Sequence, residues 1–230
     1  SKYAAVQASL QVLIAAQVNT LLSKWEATQE STRLFRPVGV KAGDDAQVEY
    51  LPNELRKDFV PVRVVGVGSY GVVVSAFFVK NGHRKYKVAI KLVYSHAGGH
   101  GFSDTALRRL DREATLLGRT SNQYIVKLLG SGVSGSKDCF WLIMEHLEGS
   151  SLDVIVRDPD VSFTEVDAVR LGLQMLSALH ALHVQQVIHR DVKPANVVDT
   201  PEGPKLIDLG AAAVVAVRDN EVGQSLMTQG

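Results

Sequence analysis

Between His189 and Gly210 the chain collects side chains suited to moving a phosphoryl group. His189-Arg190-Asp191-Val192-Lys193-Pro194-Ala195-Asn196 puts an Asp, a Lys two positions on and an Asn five positions on into one loop, which Pro194 is expected to keep from turning helical. After a short apolar run bounded by Pro204 and Gly210 comes a second acid, Asp208, placed as at a strand end. Asp191 offers a proton acceptor and Lys193 a fixed positive charge. Asn196 and Asp208 offer two oxygen ligands of the kind Mg²⁺ prefers. A positioned hydroxyl, neutralised phosphate charge and metal clamps are what phosphoryl transfer requires. One Asp in a loop is ordinarily a cap or a turn residue; the whole set at this spacing is not explained that way.

The block resembles the catalytic loop H-R-D-x-K-P-x-N of eukaryotic-type protein kinases, followed by their D-F-G, written here Asp208-Leu209-Gly210. The resemblance spans about residues 59–214. It implies an α+β fold in two lobes, with an antiparallel β small lobe and a truncated, mainly α large lobe. It also implies ATP and Mg²⁺ as cofactors and a protein substrate carrying a Ser or Thr acceptor. Asp191 would orient the hydroxyl and accept its proton, Lys193 would stabilise the transferring group, and Asn196 and Asp208 would hold the metal. Lys193 favours Ser and Thr over Tyr. His189 would pack against Leu209 rather than do chemistry.

The elements that position this set can be read upstream. Val60–Val65 reads as a strand, 66–71 as a glycine loop and Val72–Val79 as a second strand. Asn81-Gly82 reads as a tight hairpin turn and Tyr86–Val93 as a third strand. A lone G-x-G-x-x-G also opens dinucleotide-binding units, but there a helix must follow. Here Val72-Val73-Val74 follows, a β-branched run that favours a strand. Strand, glycines, strand is the arrangement of a flap over a triphosphate, where missing Cβ atoms let backbone N–H groups approach phosphate oxygens. In Val88-Ala89-Ile90-Lys91, strand alternation points Ala89 and Lys91 the same way.

By resemblance, Gly66, Gly68, Gly71, Val73, Ala89, Lys91, Met144, Glu145, Leu147, Ser151 and Val198 would contact the nucleotide. Met144 would be the gatekeeper, and Glu145 and Leu147 would offer backbone groups at the hinge. Residues 103–119 carry an apolar stripe through Ala106, Leu107, Leu110, Ala114 and Leu117. The resemblance places Glu113 of this helix opposite Lys91, with Asp111 as the competing carboxylate. Ile125–Leu128 begins a strand, and Phe140–Leu147 forms another. Ser162-Phe163-Thr164-Glu165 reads as a capping box. It opens a helix whose core-facing stripe is Val169, Leu173, Leu176, Leu179, Ala181 and Leu182.

Composition bounds the remaining readings. The 230 residues are 46% hydrophobic with a net charge of +1, a soluble globular profile without a basic bias toward nucleic acid or anionic membrane. The single cysteine, Cys139, excludes an internal disulfide framework, fits a reducing compartment, and sits in an apolar run as a buried structural thiol. Polar residues interrupt the uncharged stretch 3–23, so the pattern is a one-faced helix over residues 1–25 rather than a membrane span or signal peptide. Membrane contact is not expected.

Residues 26–58 read as a connector, 59–147 as the small lobe and hinge, and 148–230 as the first half of the large lobe ending in an activation segment. His96 and His100 fall in a glycine-rich insertion, and His180 and His183 lie three apart on a helix. All four read as structural or loop histidines rather than metal ligands. Arg190 would be a phosphate partner, with Ser225 and Thr228 as candidate acceptors. Location reads as an intracellular soluble domain. Ile207-Asp208-Leu209-Gly210-Ala211-Ala212-Ala213 also resembles chloroplast state-transition kinases, which would place the domain on the stromal side of the thylakoid. A catalytically silent, nucleotide-binding scaffold is the alternative function.

Overall fold

The computed structural model describes residues 39–68, 71–95 and 101–214. The expected N-terminal helix, His96, His100, Ser225 and Thr228 lie outside these residues.

Three long strands follow one another: β1 (Phe59–Gly68), β2 (Gly71–Lys80) and β3 (His83–Tyr94). They pair antiparallel, and β5 (Cys139–Glu145) and β4 (Leu128–Val133) complete a five-stranded sheet of order β1-β2-β3-β5-β4. Asn81 and Gly82 make the β2–β3 turn with φ of 54° and 74°, the left-handed pair that suits a two-residue hairpin. The strands run through the glycines instead of stopping at them, so residues 66–68 and 71 belong to the ladder rather than to a six-residue loop. Pairing of Gly66 with Val73 and of Gly68 with Gly71 satisfies backbone groups that a free loop would leave to water.

Strand alternation divides the apolar residues between two cores. Cys139, Trp141 and Ile143 of β5 join Val72, Val74, Ala76, Val88, Ile90 and Leu92 on one face of the sheet. Phe140, Leu142 and Met144 point to the other face, toward a second core that contains Ala114, Leu117, Leu182, Leu206 and Leu209. The first core is closed by the segment before β1. A short helix, α1 (Asn53–Arg56), and the turn before it bury Tyr50, Leu51 and Leu55. Residues 39–58 of the connector therefore cover the outer face of the sheet.

The second core is built by α2 (Asp104–Arg119) and α4 (Glu165–His183), with a single-turn α3 (Leu152–Ile155) between them. Ser103 caps α2 by accepting the Ala106 N–H. The capping box of α4 differs from the sequence reading: the cap is Thr164, and its partner is Asp167 rather than Glu165. The apolar stripe of α4 differs too. Leu182 and Ala178 are buried, and Leu179 and Ala181 pack partly, but Val169, Leu173 and Leu176 are exposed among the described residues. They lie on the opposite side of the same helix from Leu182, so the expected stripe joined two faces, of which one is covered. Short pairs complete the fold: β6 (Ser150–Ser151), β8 (Val197–Asp199) and β9 (Lys205–Leu206) in one ribbon, and β7 (Val187–Ile188) with β10 (Ala213–Val214) in another. No helix among the described residues is long and apolar enough to cross a membrane.

The glycines of β1 and β2 are held for different reasons. A Cβ on Gly71 would stand 1.8 Å from the Leu92 carbonyl oxygen, whereas one on Gly66 would meet nothing within 4 Å. Gly71→Ala is therefore expected to cost about 1–3 kcal/mol through forced strand displacement. That corresponds to a Tm lower by roughly 2–12 °C at 2–4 °C per kcal/mol for a chain of this size. Gly66→Ala should leave Tm unchanged while weakening nucleotide binding. Parallel thermal melts and nucleotide titrations check both halves.

Candidate active site

Lys91 is the centre of the geometry. It lies on β3 with Val88, Ile90 and Leu92 turned into the first core, so alternation turns Lys91 to the other face. Its Nζ donates to Glu113 Oε1 at 2.8 Å and to Asp208 Oδ1 at 3.2 Å, joining a strand, α2 and a loop 117 residues away. Glu113 is 7% exposed whereas Asp111 is exposed, which settles the competition between the two carboxylates. Two residues apart on a helix, they cannot face the same way.

Charge state follows from burial and pairing. Burial alone would lower the Lys91 pKa, but attraction to Glu113 and Asp208 holds it above its ordinary value. Burial pushes the Glu113 carboxyl up, with Lys91 opposing. Asp208 is also penalised by burial, yet Lys91 and the Gly210 N–H, 2.9 Å from its Oδ1, hold it below the usual carboxylate range. Lys91 therefore stays charged and Asp208 ionised, while Glu113 is the acid of the group that burial favours in its protonated form.

The second group sits on the loop after β7. Lys193 Nζ donates to Asp191 Oδ2 at 2.7 Å, and Asn196 Nδ2 donates to Asp191 O and Oδ2 at 2.9 and 3.0 Å. The Lys193 hydrogen bond is the main reason the Asp191 carboxyl lies below its ordinary pKa. Pro194–Asn196 forms one turn of 3-10 helix, so Pro194 starts a helical turn rather than preventing one. Its missing N–H is no loss at the first position of a turn. His189 is buried, accepts the Asp191 N–H on Nδ1 at 3.2 Å, and feels both Asp191 and Asp208. Burial, its largest influence, lowers its pKa, so it stays neutral between the two acids.

The remaining candidates line up by register. Val73 pairs with Lys91, Ala89 with Met144, and Ser151 with Val198. Leu147 packs partly against the second core. The structure thus joins Lys91, Glu113 and Asp208 in one contact group and Asp191, Lys193 and Asn196 in another, with His189 between them. A cavity of about 240 Å³ lies elsewhere, among Leu152, Phe163, Arg170, Leu171 and Asp199, and holds none of the paired acids above. His180 and His183 are exposed in the last turn of α4, and no group of metal-ligating His, Cys, Asp and Glu occurs among the described residues.

Two features escape sequence reasoning. The Glu145 side chain accepts from Lys205 Nζ at 2.9 Å and from the Lys127 N–H at 2.9 Å, tying the end of β5 to the residue before β4 and to β9. Its side chain therefore matters as well as its backbone, but a pair 60 residues apart leaves no local signal. Arg190 adopts φ of 67° and donates from Nε to the Ala211 carbonyl at 2.7 Å. In this state it braces the segment after Asp208.

Comparison with known proteins identifies the family. The chain is 34% identical over 157 residues to a probable cyclin-dependent kinase 8 of Dictyostelium discoideum, covering 65% of this chain and 40% of that protein. It is 32% identical over 180 residues to human serine/threonine-protein kinase 10, covering 74% and 18%. It is 33% identical over 165 residues to cyclin-dependent kinase D-1 of Arabidopsis thaliana, covering 71% and 39%. The chain thus spans well under half the length of each of these relatives. The protein kinase domain family matches residues 59–229, most of the chain, and to that family the chain belongs.

Proposed function

We propose that the chain carries an ATP- and Mg²⁺-dependent kinase activity that phosphorylates Ser and Thr hydroxyls of proteins. The observation that carries this reading is the single ammonium of Lys91 held between Glu113 and Asp208. Such a pair is costly to bury and is retained where a charge must be placed.

The residues present fit the cofactors. The Asn196 amide nitrogen is committed to Asp191, so its carbonyl oxygen is left as an acceptor, and Asp208 stays ionised; both suit a hard cation. The open space over Gly66 suits a close-lying phosphate, because packing does not require a glycine there. When bound, Mg²⁺·ATP supplies the transferable phosphoryl group and the counter-charge for its oxygens. Lys91 would orient the α/β-phosphates, and Glu113 would keep Lys91 from swinging to solvent. Asn196 and Lys193 hold the Asp191 carboxylate in one orientation. Its lowered pKa makes it an acceptor that orients the hydroxyl first and takes the proton late. Lys193, beside it, would offset charge on the transferring group. An intracellular compartment is part of the same reading, supported by the lone, buried Cys139 thiol.

The test is transfer from γ-labelled ATP by the full-length protein to matched peptides bearing Ser, Thr or Tyr. Label is expected on Ser and Thr, only with Mg²⁺, and lost in Asp208→Asn. Nucleotide binding without transfer in any condition would replace the enzyme by a scaffold.

A further inference from the structure

The segment before β1 covers the sheet, but it also reaches the helix that carries Glu113. Tyr50, Leu51 and Leu55 are 5%, 0% and 6% exposed in the core beneath β5. The Tyr94 hydroxyl donates to the Tyr50 carbonyl at 3.1 Å. From α1, the Glu54 carboxylate accepts the Gly135 N–H at 3.0 Å. Gly135 belongs to the β4–β5 turn, which is stiffened internally. Ser134 Oγ donates to Asp138 Oδ1 at 2.6 Å and accepts the Asp138 and Cys139 N–H groups at 3.1 and 3.0 Å.

This turn grips the chain on both sides of the approach to α2. The Asp138 carbonyl accepts the Ser95 N–H at 2.8 Å, at the end of β3. The Lys137 carbonyl accepts the Phe102 N–H at 2.7 Å, one residue before the cap of α2. Gly101 has φ of +66°, and a Cβ there would lie 2.8 Å from the Lys137 carbonyl oxygen. The two backbones therefore meet with no room for a side chain. An unbroken path runs from Glu54 through the β4–β5 turn and Phe102 to the first turn of α2, and α2 sets Glu113 against Lys91.

We propose that residues 39–58 form a strap whose Glu54 is a positioning residue for the Lys91–Glu113 pair, acting through the β4–β5 turn on the start of α2. This rests on the kinase reading above. The strap adds, from this chain's own flank, a brace for α2 beyond its direct packing on β4 and β5. It explains why a carboxylate is committed to one backbone N–H of a surface turn.

The experiment compares Glu54→Ala and Glu54→Gln in the full-length protein, alone and combined with Glu113→Gln. Glu54→Ala is expected to lower kcat/KM about fivefold, within the range of couplings carried by packed contacts. It should also speed amide hydrogen exchange across residues 104–119. Glu54→Gln keeps an oxygen that accepts the Gly135 N–H and should restore most of both. Added to Glu113→Gln, Glu54→Ala should lower activity no further, because both act through one pair. Equal losses for Ala and Gln, multiplying losses in the double variant, or faster exchange confined to residues 134–138 would each overturn the strap. If the unaltered protein transfers no phosphate, the kinase reading fails, and exchange in α2 still decides the strap.

Discussion

Asp191→Asn is expected to lower kcat by about 10²- to 10⁴-fold, the usual contribution of a positioned acid–base group, while ATP binding stays near that of the unaltered protein. The geometry gives the reason for the split. Asp191 is bonded to Lys193 and Asn196 and not to the Lys91 group. Its removal should therefore be felt by the acceptor hydroxyl and not by the nucleotide, as a loss in kcat without a rise in the ATP dissociation constant. Asn keeps the size and one oxygen of the side chain, so the fold should be untouched. The pH profile adds a check. The carboxyl lies below its ordinary pKa, so Asp191 stays ionised across the neutral range, and an acid limb due to it should appear only below the normal carboxylate range. Steady-state kinetics with nucleotide titration measures all three. A raised dissociation constant with unchanged kcat would mean that Asp191 serves the nucleotide instead of the acceptor hydroxyl.

The second large effect is expected at Lys91. Lys91→Met should abolish nucleotide-dependent transfer, by about 10³-fold or more, because alignment of the phosphates is lost. It should also destabilise the fold by about 2 kcal/mol. A fully buried pair losing one partner costs about 3–5 kcal/mol, but the Lys91 side chain is 25% exposed and that of Asp208 39% exposed, so water recovers part. The loss should depend on pH with a definite sign. Without Lys91, burial drives the Glu113 pKa in the folded state further above its unfolded value. The folded state then binds more protons than the unfolded state between those two pKa values, and stability falls as pH rises through that window. Lys91→Met should therefore be less damaged near pH 5 than near pH 8, and adding Glu113→Gln should recover stability but no activity. Chemical denaturation of the three proteins at both pH values, beside the transfer assay, tests this. A pH-independent loss would mean that Glu113 is not the uncompensated charge.

Much of the site could be read in the chain because its parts are local. Asp191, Lys193 and Asn196 lie within six residues, so one turn decides their relation, and the sequence contains that turn. The strand identity of β2 and β3 was equally plain from β-branched runs and from Asn81-Gly82, whose positive φ few other residue pairs accept. These features belong to short-range sterics and hydrogen bonding, which act before any core exists.

What the tertiary structure alone decided are relations between distant segments. That Glu113, already favoured over Asp111 by resemblance, meets Lys91 depends on which side of α2 packs on the sheet, and burial shows that side. Glu145 with Lys205, and Glu54 with Gly135, are joined across 60 and 81 residues, and no local pattern marks either partner. The α4 stripe shows the same limit from the other side. Its apolar residues lie on two sides of the helix, and Val169 and Leu173 stay exposed while Ala178 and Leu182 are buried. A sequence repeats its apolar residues with the period of the helix. Which repeat is covered depends on what other segments bring against it, and that is settled only when the two cores close.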